Sequence, residues 1–233
     1  METTLARSRG ATRSRWEPWG AAAGLAFLPL FVLWASVFVP ASFPKTPAEV
    51  ASLYAEPGLG TRMVVVAMLL GPACLLLLWF FGSLYAALQR AEQPGTGLAT
   101  LAFGAGIVCV VLLFSANAVF AATGSLVGGE TQFARGFALD PNVIKLVSFV
   151  SFWLALQVGI AGAAVMFATS LVAARSRLFP KWLVWIGFIF AALNVFVVVL
   201  DFPFLLFLVW ILVVAIRLIR TPGRDSVPSG SQI

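Results

Sequence analysis

The chain has 233 residues, a formal net charge of +6 and a mean hydropathy of +1.00, with charged residues at only 10% of its positions. A soluble domain cannot hide so much apolar surface from water, so the composition excludes an ordinary soluble protein and indicates a membrane protein with several spans. The chain contains no histidine, which removes the commonest side chain for proton transfer and for metal or haem ligation. We therefore expect no metal ion and no other cofactor.

Six apolar stretches each meet the rough requirement of about 20 residues to cross a hydrocarbon core of about 30 Å. They are expected to be helices, because a helix satisfies its own backbone hydrogen bonds in lipid. The predicted fold is therefore an all-α membrane bundle, with a basic segment at residues 1–19, a six-span domain at 20–220 and a disordered tail at 221–233. In chain order the predicted spans are residues 20–40, 63–88, 97–124, 143–174, 181–200 and 202–219.

The first span has two features that invite other interpretations. A cleaved signal peptide is one alternative, but the apolar run is longer than the 7–15 residues typical of such a peptide. Gly20 and Gly24 form a GxxxG motif, which arises often by chance in spans rich in alanine and glycine. We expect the first span to remain in the protein and give the motif no special role.

The loop after the first span contains one readable element. Thr46 and Glu49 form a capping box with Pro47 at the first helical position, followed by apolar residues at helical spacing. The pattern predicts a short amphipathic helix on the outer surface. A plain connection is the favoured interpretation, and a lid or a docking element for a partner is the alternative.

Later boundaries depend on similar signals. Asp140 and Pro141 are suited to begin the fourth span as N-cap and first helical residue. Residues 182–219 form an apolar run of 38 residues, which is too long for one crossing and is interrupted only at Asp201 and Pro203. We predict a tight hairpin there, near the outer interface.

Orientation follows from the positions of lysine and arginine. With the N-terminus inside, 11 of these 15 residues fall in inner segments and 4 in outer segments. Cytoplasmic segments are enriched in such residues, so both termini are predicted to be cytoplasmic. The basic residues flank the spans and do not form a face with interleaved aromatic residues, so we expect membrane lipids as partners and no nucleic acid.

The deep polar residues of the spans are neutral. A cluster of them in the middle and outer half is a candidate polar pocket between the third, fourth and fifth spans. Hydrogen bonding between helices, worth about 0.6 kcal/mol for each bond, is the favoured alternative. No acidic or basic residue lies deep within a predicted span. An ion-coupled carrier usually needs such a residue, so the sequence does not favour this class of protein. The candidate pocket residues are Ser115, Asn117, Gln157, Asn194 and Asp201.

The fourth span carries a stripe of small residues at steps of three and four, which favours close approach of a neighbouring helix. Gln157 lies roughly opposite this stripe, so the fourth span has two faces that avoid lipid and is predicted to be central. The sixth span has no polar side chain between Phe204 and Ile216 and is expected to meet lipid on most sides. The stripe, which is the predicted helix-packing surface, comprises Ser148, Ser151, Ala155, Gly159 and Gly162.

Sequence templates for enzymes and transporters are missing. There is no G-x-S-x-G motif, P-loop, H-E-x-x-H motif or pair of membrane aspartates, so we name no catalytic residue and expect no enzyme. Pro29 and Pro72 interrupt the first two spans, but the fourth and fifth spans have no matching proline, so the inverted repeat of many transporters is not seen. Cys74 and Cys109 are expected to be buried thiols and not a disulfide.

Two passages suggest a family. They are TPAEVASLY at 46–54, followed by GTRM at 60–63, and FPKW at 179–182. The chain resembles uncharacterised six-helix bacterial inner-membrane proteins. This resemblance implies a bacterial plasma-membrane location, and it implies no activity and no role for any residue.

These observations lead to one functional expectation and one alternative. The expected protein is a non-catalytic plasma-membrane component with a structural, partner-binding or lipid-interacting role. The alternative is a carrier for a small solute or lipid that uses the neutral pocket. Whether a different protein or a second copy of the chain is a partner is left open.

Overall fold

The computed structural model describes residues 17–42, 46–128, 140–197 and 203–220. All secondary structure in these ranges is α-helical. Residues 1–16, the tail at 221–233 and Asp201 lie outside the described residues, so the predictions made for them do too. The seven helices of the described ranges are α1 (Glu17–Ser42), α2 (Pro47–Tyr54), α3 (Leu59–Ala91), α4 (Leu98–Gly128), α5 (Pro141–Ser176), α6 (Lys181–Val197) and α7 (Pro203–Arg220).

Helix α2 is the predicted surface helix, and the other six helices correspond to the predicted spans. Several are longer than the apolar stretch that predicted them: α3 includes Arg62 and Arg90, and α5 includes Lys145 and Arg175. Hydropathy marks the part of a helix that suits lipid, whereas backbone hydrogen bonding continues into the polar flanks. Both boundaries of α1, α3 and α5 therefore lie outside the predicted span boundaries, whereas α4 begins one residue later than predicted, α6 ends three residues earlier and α7 begins one residue later.

Four helices are long and apolar enough to cross a membrane: α1, α3, α4 and α5. Helix α6 is also apolar but shorter, at 17 residues. Large apolar side chains on the outer faces are strongly exposed, as in Met68 at 72% and Phe196 at 74%. Water would penalise an apolar surface of this extent. The described helices are therefore compatible with a membrane protein.

Two predicted helix starts are confirmed by their hydrogen bonds. At α2, the Glu49 amide donates to the Thr46 hydroxyl at 3.2 Å, and the Thr46 amide donates to the Glu49 carboxylate at 3.3 Å, which completes the capping box. At α5, the Asn142 amide donates to the Asp140 carboxylate at 2.8 Å, with Pro141 first in the helix. Both signals are local in sequence, so they can be read without knowledge of the fold.

The helices form a closed ring in the order α1, α3, α4, α5, α6, α7 and back to α1. Helix α5 also packs against α1, α2, α3 and α7, so it contacts all six other described helices. This agrees with the central position predicted for the fourth span. Because α5 is rich in alanine, glycine and serine, several neighbours can approach it closely.

Successive long helices run in opposite directions. Gly106 lies against Phe81 and Gly124 against Met63, which makes α3 and α4 antiparallel. The other neighbouring helices alternate in direction in the same way. One end of the bundle therefore holds the start of α1, the α3–α4 turn, the α5–α6 turn and the end of α7. This end, called the basic end below, carries Arg90, Arg175, Arg177, Lys181, Arg217 and Arg220, together with Glu17 and Glu92.

The opposite end has a different balance of charge. Its described residues include two cations, Arg62 and Lys145, and three carboxylates, Glu49, Glu56 and Asp140. Arg62 and Glu56 form an exposed ion pair there. The charge asymmetry that the sequence predicted along the chain is therefore also an asymmetry between the two ends of the folded bundle.

Two contacts between helices were not indicated by the sequence. Gly20 and Gly24, whose motif arises often by chance, lie directly against α3: a Cβ atom on Gly24 would come within 2.6 Å of the Phe80 ring. Helix α7 buries one face through Phe207, Trp210 and neighbouring residues, and the other positions of residues 205–220 are half-buried or exposed. A span without polar residues gives no sign in its sequence of which face turns inward, and side-chain shape decides it.

Candidate polar site in the bundle interior

The strongest polar contacts of the interior join α4 to both of its neighbours. The Asn117 side-chain amide donates to the backbone carbonyl of Ala67 in α3 at 2.9 Å. One residue earlier, the carbonyl of Ala116 accepts a hydrogen bond from the Ser151 hydroxyl of α5 at 2.7 Å. All four residues are buried. Consecutive residues of α4 thus connect it to α3 and to α5 at the same depth.

A second buried contact connects the surface helix to the bundle. The phenol oxygen of Tyr54, at the end of α2, lies 3.0 Å from the hydroxyl oxygen of Ser148 in α5. Burial raises the pKa of the Tyr54 phenol, and the hydrogen bond with Ser148 offsets part of that rise. Val50, one turn earlier in α2, is also fully buried. Helix α2 is therefore packed into the end of the bundle that lies opposite the basic end.

Asn194 is buried in a different place. Its side chain is 0% exposed, and its amide donates to the carbonyl of Phe190 in its own helix at 2.9 Å. Among the described residues, α6 packs against α5 and α7, and α4 packs against α3 and α5. The amides of Asn117 and Asn194 consequently have different partners, Asn117 in the contact of α4 with α3 and Asn194 within α6 itself.

The remaining candidate pocket residues add little to either contact. Ser115 and Gln157 are half-buried, and Asp201 lies outside the described residues. The pocket predicted between the third, fourth and fifth spans would lie between α4, α5 and α6. Its described members lie on these three helices: Ser115 and Asn117 on α4, Gln157 on α5 and Asn194 on α6.

The predicted small-residue stripe of α5 is buried along its whole length, but it serves several neighbours. Ser148 contacts α2 and Ser151 contacts α4, as described above. Gly162 lies against α7, where a Cβ atom would come within 3.1 Å of the Phe207 ring. Ala155 and Gly159 are buried between these positions. The stripe is spread across three interfaces because α5 is central.

Four buried polar atoms have no hydrogen-bond partner within the described part of the chain. They are Trp34 Nε1, Asn117 Oδ1, Thr169 Oγ1 and Asn194 Oδ1. Sequence reasoning named the two asparagines but missed Trp34, which stacks on Phe38 at 4.1 Å and meets Phe120 edge-on. The available signal was its position: a tryptophan in mid-span, away from the interfaces where tryptophan is usual.

The chemistry of these groups is neutral hydrogen bonding. Amides and hydroxyls can hold helices together or bind a neutral polar ligand, but they do not carry a proton or a charge at neutral pH. The described residues contain no group of three His, Cys, Asp or Glu side chains that could hold a metal ion. Cys74 and Cys109 are free, buried thiols in the described structure, and Cys109 Sγ lies 3.7 Å from the Val158 carbonyl.

Comparisons of the chain with models of protein families, with curated proteins and with solved structures found no match.

Proposed function

We propose that this protein is a six-span integral protein of the plasma membrane, with both termini cytoplasmic, that works without catalysis as a structural, partner-binding or lipid-interacting component. Membrane lipids are its constant partners, and a protein partner or a second copy of the chain would bind through its outer faces. The resemblance to six-helix bacterial inner-membrane proteins supports a bacterial plasma membrane. Helices α6 and α7 supply the fifth and sixth spans in this proposal.

The observation that carries the proposal is the use of the interior amides. Asn117 donates across a helix interface to Ala67, and Asn194 donates within α6 to Phe190. Each amide therefore donates one hydrogen bond to a backbone carbonyl, and the bond of Asn117 joins two helices, as a role in helix packing requires. A carrier would instead direct several of these amides into one solvent-accessible space. Their separation supports the structural role.

The orientation is supported by the charge at the two ends. The basic end carries six cations and two carboxylates among the described residues, and the opposite end two cations and three carboxylates. Membrane proteins place their lysine and arginine on the cytoplasmic side. The basic end is therefore assigned to the cytoplasm, and it includes the first residue of α1 and the last residue of α7.

One observation favours the alternative function of a carrier. The Oδ1 atoms of Asn117 and Asn194 are buried acceptors without a partner in the described residues. A buried acceptor that lacks a hydrogen bond costs about 1–3 kcal/mol, so a ligand or a water molecule that supplied one would be stabilised there. The carrier hypothesis places the ligand at these oxygens.

Cysteine accessibility separates the two functions. In a background with Cys74→Ala and Cys109→Ala, we would introduce Asn117→Cys or Asn194→Cys and add a membrane-impermeant thiol reagent to intact cells. Ser52→Cys on the exposed face of α2 is the positive control. The structural proposal predicts rapid reaction at position 52 and none at 117 or 194. Reaction at both interior positions would make transport the leading function.

A further inference from the structure

The basic end contains a concentrated group of cations where α5, α6 and α7 meet. Arg175 closes α5, Arg177 lies in the turn that follows, and Lys181 begins α6. Arg217 and Arg220 lie in the last turn of α7. All five side chains are exposed. We call these five residues the α5–α7 cationic cluster.

A cation–π contact holds part of this cluster together. The Arg217 guanidinium lies 5.3 Å from the centre of the Trp182 ring, which joins the end of α7 to the start of α6. This contact brings the arginines of α7 beside those of the α5–α6 turn. It also holds the guanidinium at the height of the first turn of α6, where Trp182 and Trp185 present exposed aromatic surface.

The helix ends and the turn that carry the cluster contain no carboxylate that could balance its positive charge. Residues 170–185 and 210–220 contain no aspartate or glutamate. At the same end, the Glu92 carboxylate lies at the α3–α4 turn and accepts hydrogen bonds from the Ala99 and Leu98 amides. Glu17 lies at the start of α1, which packs against α7. Among the described residues near the cluster, cations therefore outnumber carboxylates.

We propose that the α5–α7 cationic cluster is a binding site for the phosphate headgroup of an anionic phospholipid in the inner leaflet. Guanidinium groups present paired donors that match phosphate oxygens, and lysine adds a compact positive charge. Exposed Trp185, at 67%, continues the site along α6 as an apolar surface for an acyl chain. Basic pockets between spans on the cytoplasmic side are suited to such headgroups.

This site is more than the charge bias that sets orientation. Orientation needs only positive charge near a span, wherever the side chains point. A headgroup site needs cations from different helices to converge, and the contact between Arg217 and Trp182 provides that convergence. The inference depends on the proposed membrane-spanning bundle, but it adds a ligand class and a location that the bundle alone does not require.

The test uses the purified full-length protein in detergent with equal amounts of phosphatidylglycerol and phosphatidylcholine that carry the same acyl chains. Retained lipid is counted by native mass spectrometry. Each cation near a membrane surface contributes about 1 kcal/mol to binding of anionic lipid, which corresponds to about five-fold in affinity. We expect a clear preference for phosphatidylglycerol, reduced about five-fold by Lys181→Gln and about 25-fold by Lys181→Gln with Arg217→Gln.

A matched control removes the same charge from the other end. Arg62→Gln with Lys145→Gln should change the lipid preference less than two-fold. Trp182→Leu keeps every charge but releases Arg217, so it should weaken the preference whereas Trp182→Phe should largely retain it. Melting temperature is recorded for each variant, and the exposed single change Lys181→Gln tests the proposal if the double variant fails to fold.

Three results would overturn the site. The first is equal retention of both lipids by the unaltered protein, and the second is an equal loss in the variant of the opposite end. The third is displacement of the lipid by soluble glycerophosphoglycerol at similar concentration, which would indicate a site for a soluble phosphate compound. None of these results would alter the cysteine accessibility of the interior, so failure of the lipid site is distinguishable from failure of the proposed function.

Discussion

The phenol oxygen of Tyr54 and the hydroxyl oxygen of Ser148 lie 3.0 Å apart although the two residues are 94 positions apart in sequence. This single contact joins the short surface helix α2 to the central helix α5. It also places the segment between α1 and α3 over the start of α5, near the hydrogen bond of Ser151 to α4. A helix that was expected to be a plain connection is therefore part of the packed structure.

We expect Tyr54→Phe to lower the stability of the protein. The change removes one hydroxyl and leaves the buried Ser148 hydroxyl without its partner, which typically costs about 0.5–1.5 kcal/mol. Thermal unfolding in detergent measures the effect. Tyr85→Phe is the control, because the Tyr85 hydroxyl makes an exposed hydrogen bond with Gln89 that water can replace. An equal melting temperature for the Tyr54→Phe variant and the unaltered protein would mean that α2 is not held by this bond.

Glycine substitutions test the contact between α1 and α3. A Cβ atom on Gly24 would lie 2.6 Å from the Phe80 ring, so Gly24→Ala forces the helices apart or moves the ring. Overpacking of this kind typically costs about 1–3 kcal/mol. Gly82→Ala in α3 is the matched control, since its Cβ atom would meet nothing within 4 Å. There alanine should be neutral or stabilising by up to about 1 kcal/mol because of its helix propensity.

The same measurement, thermal unfolding in a single detergent, ranks the two glycine variants. The expected order is Gly82→Ala at or above the unaltered protein and Gly24→Ala below it. If both variants melted at the same temperature, the close approach of α1 to α3 would be refuted.

The sequence predicted the parts of this structure that depend on local chemistry. The capping box at Thr46 and the N-cap at Asp140 involve residues within three positions of each other, so each is legible without the fold. The apolar lengths likewise located the six long helices. These signals need no information on which helices become neighbours.

What the sequence could not predict depends on packing between distant residues. The partner of Asn117 is a backbone carbonyl fifty positions away, and any carbonyl at the right depth could have served. Trp34 and the buried face of α7 carry no polar marker, and their inward direction follows from how aromatic rings fit together. The burial of Asn117 and Asn194 followed from their depth in the predicted spans, whereas their separate partners follow from packing between helices.

Labelling of single cysteines tests the orientation. In the background without native cysteines, Ala55→Cys and Asn142→Cys should react with an impermeant thiol reagent in intact cells, because both positions are exposed at the end opposite to the basic end. Gln93→Cys and Ser176→Cys at the basic end should react only after the cells are opened. Reaction at position 176 in intact cells would invert the proposed topology.

The last prediction concerns the pH dependence of stability. It depends on Glu92, whose carboxylate lies at the start of α4. It accepts hydrogen bonds from the Ala99 amide at 3.1 Å, from the Leu98 amide and from the Thr96 hydroxyl. Burial alone would raise the pKa of Glu92, but these three hydrogen bonds outweigh it and hold the pKa below its usual value of 4.5. The folded state thus favours the ionised carboxylate more than the unfolded state does.

A lowered pKa in the folded state has a definite sign for stability. The contribution of Glu92 is fully present above the unfolded value and is lost as the pH falls through the folded value. Glu92→Gln should therefore melt at a lower temperature than the unaltered protein at pH 7, and the difference should shrink as the pH falls below about 4.5. Because the group is largely exposed, the difference should be small and should decrease with added salt. A difference that stayed constant from pH 7 to pH 3 would show that the ionised carboxylate does not stabilise the start of α4.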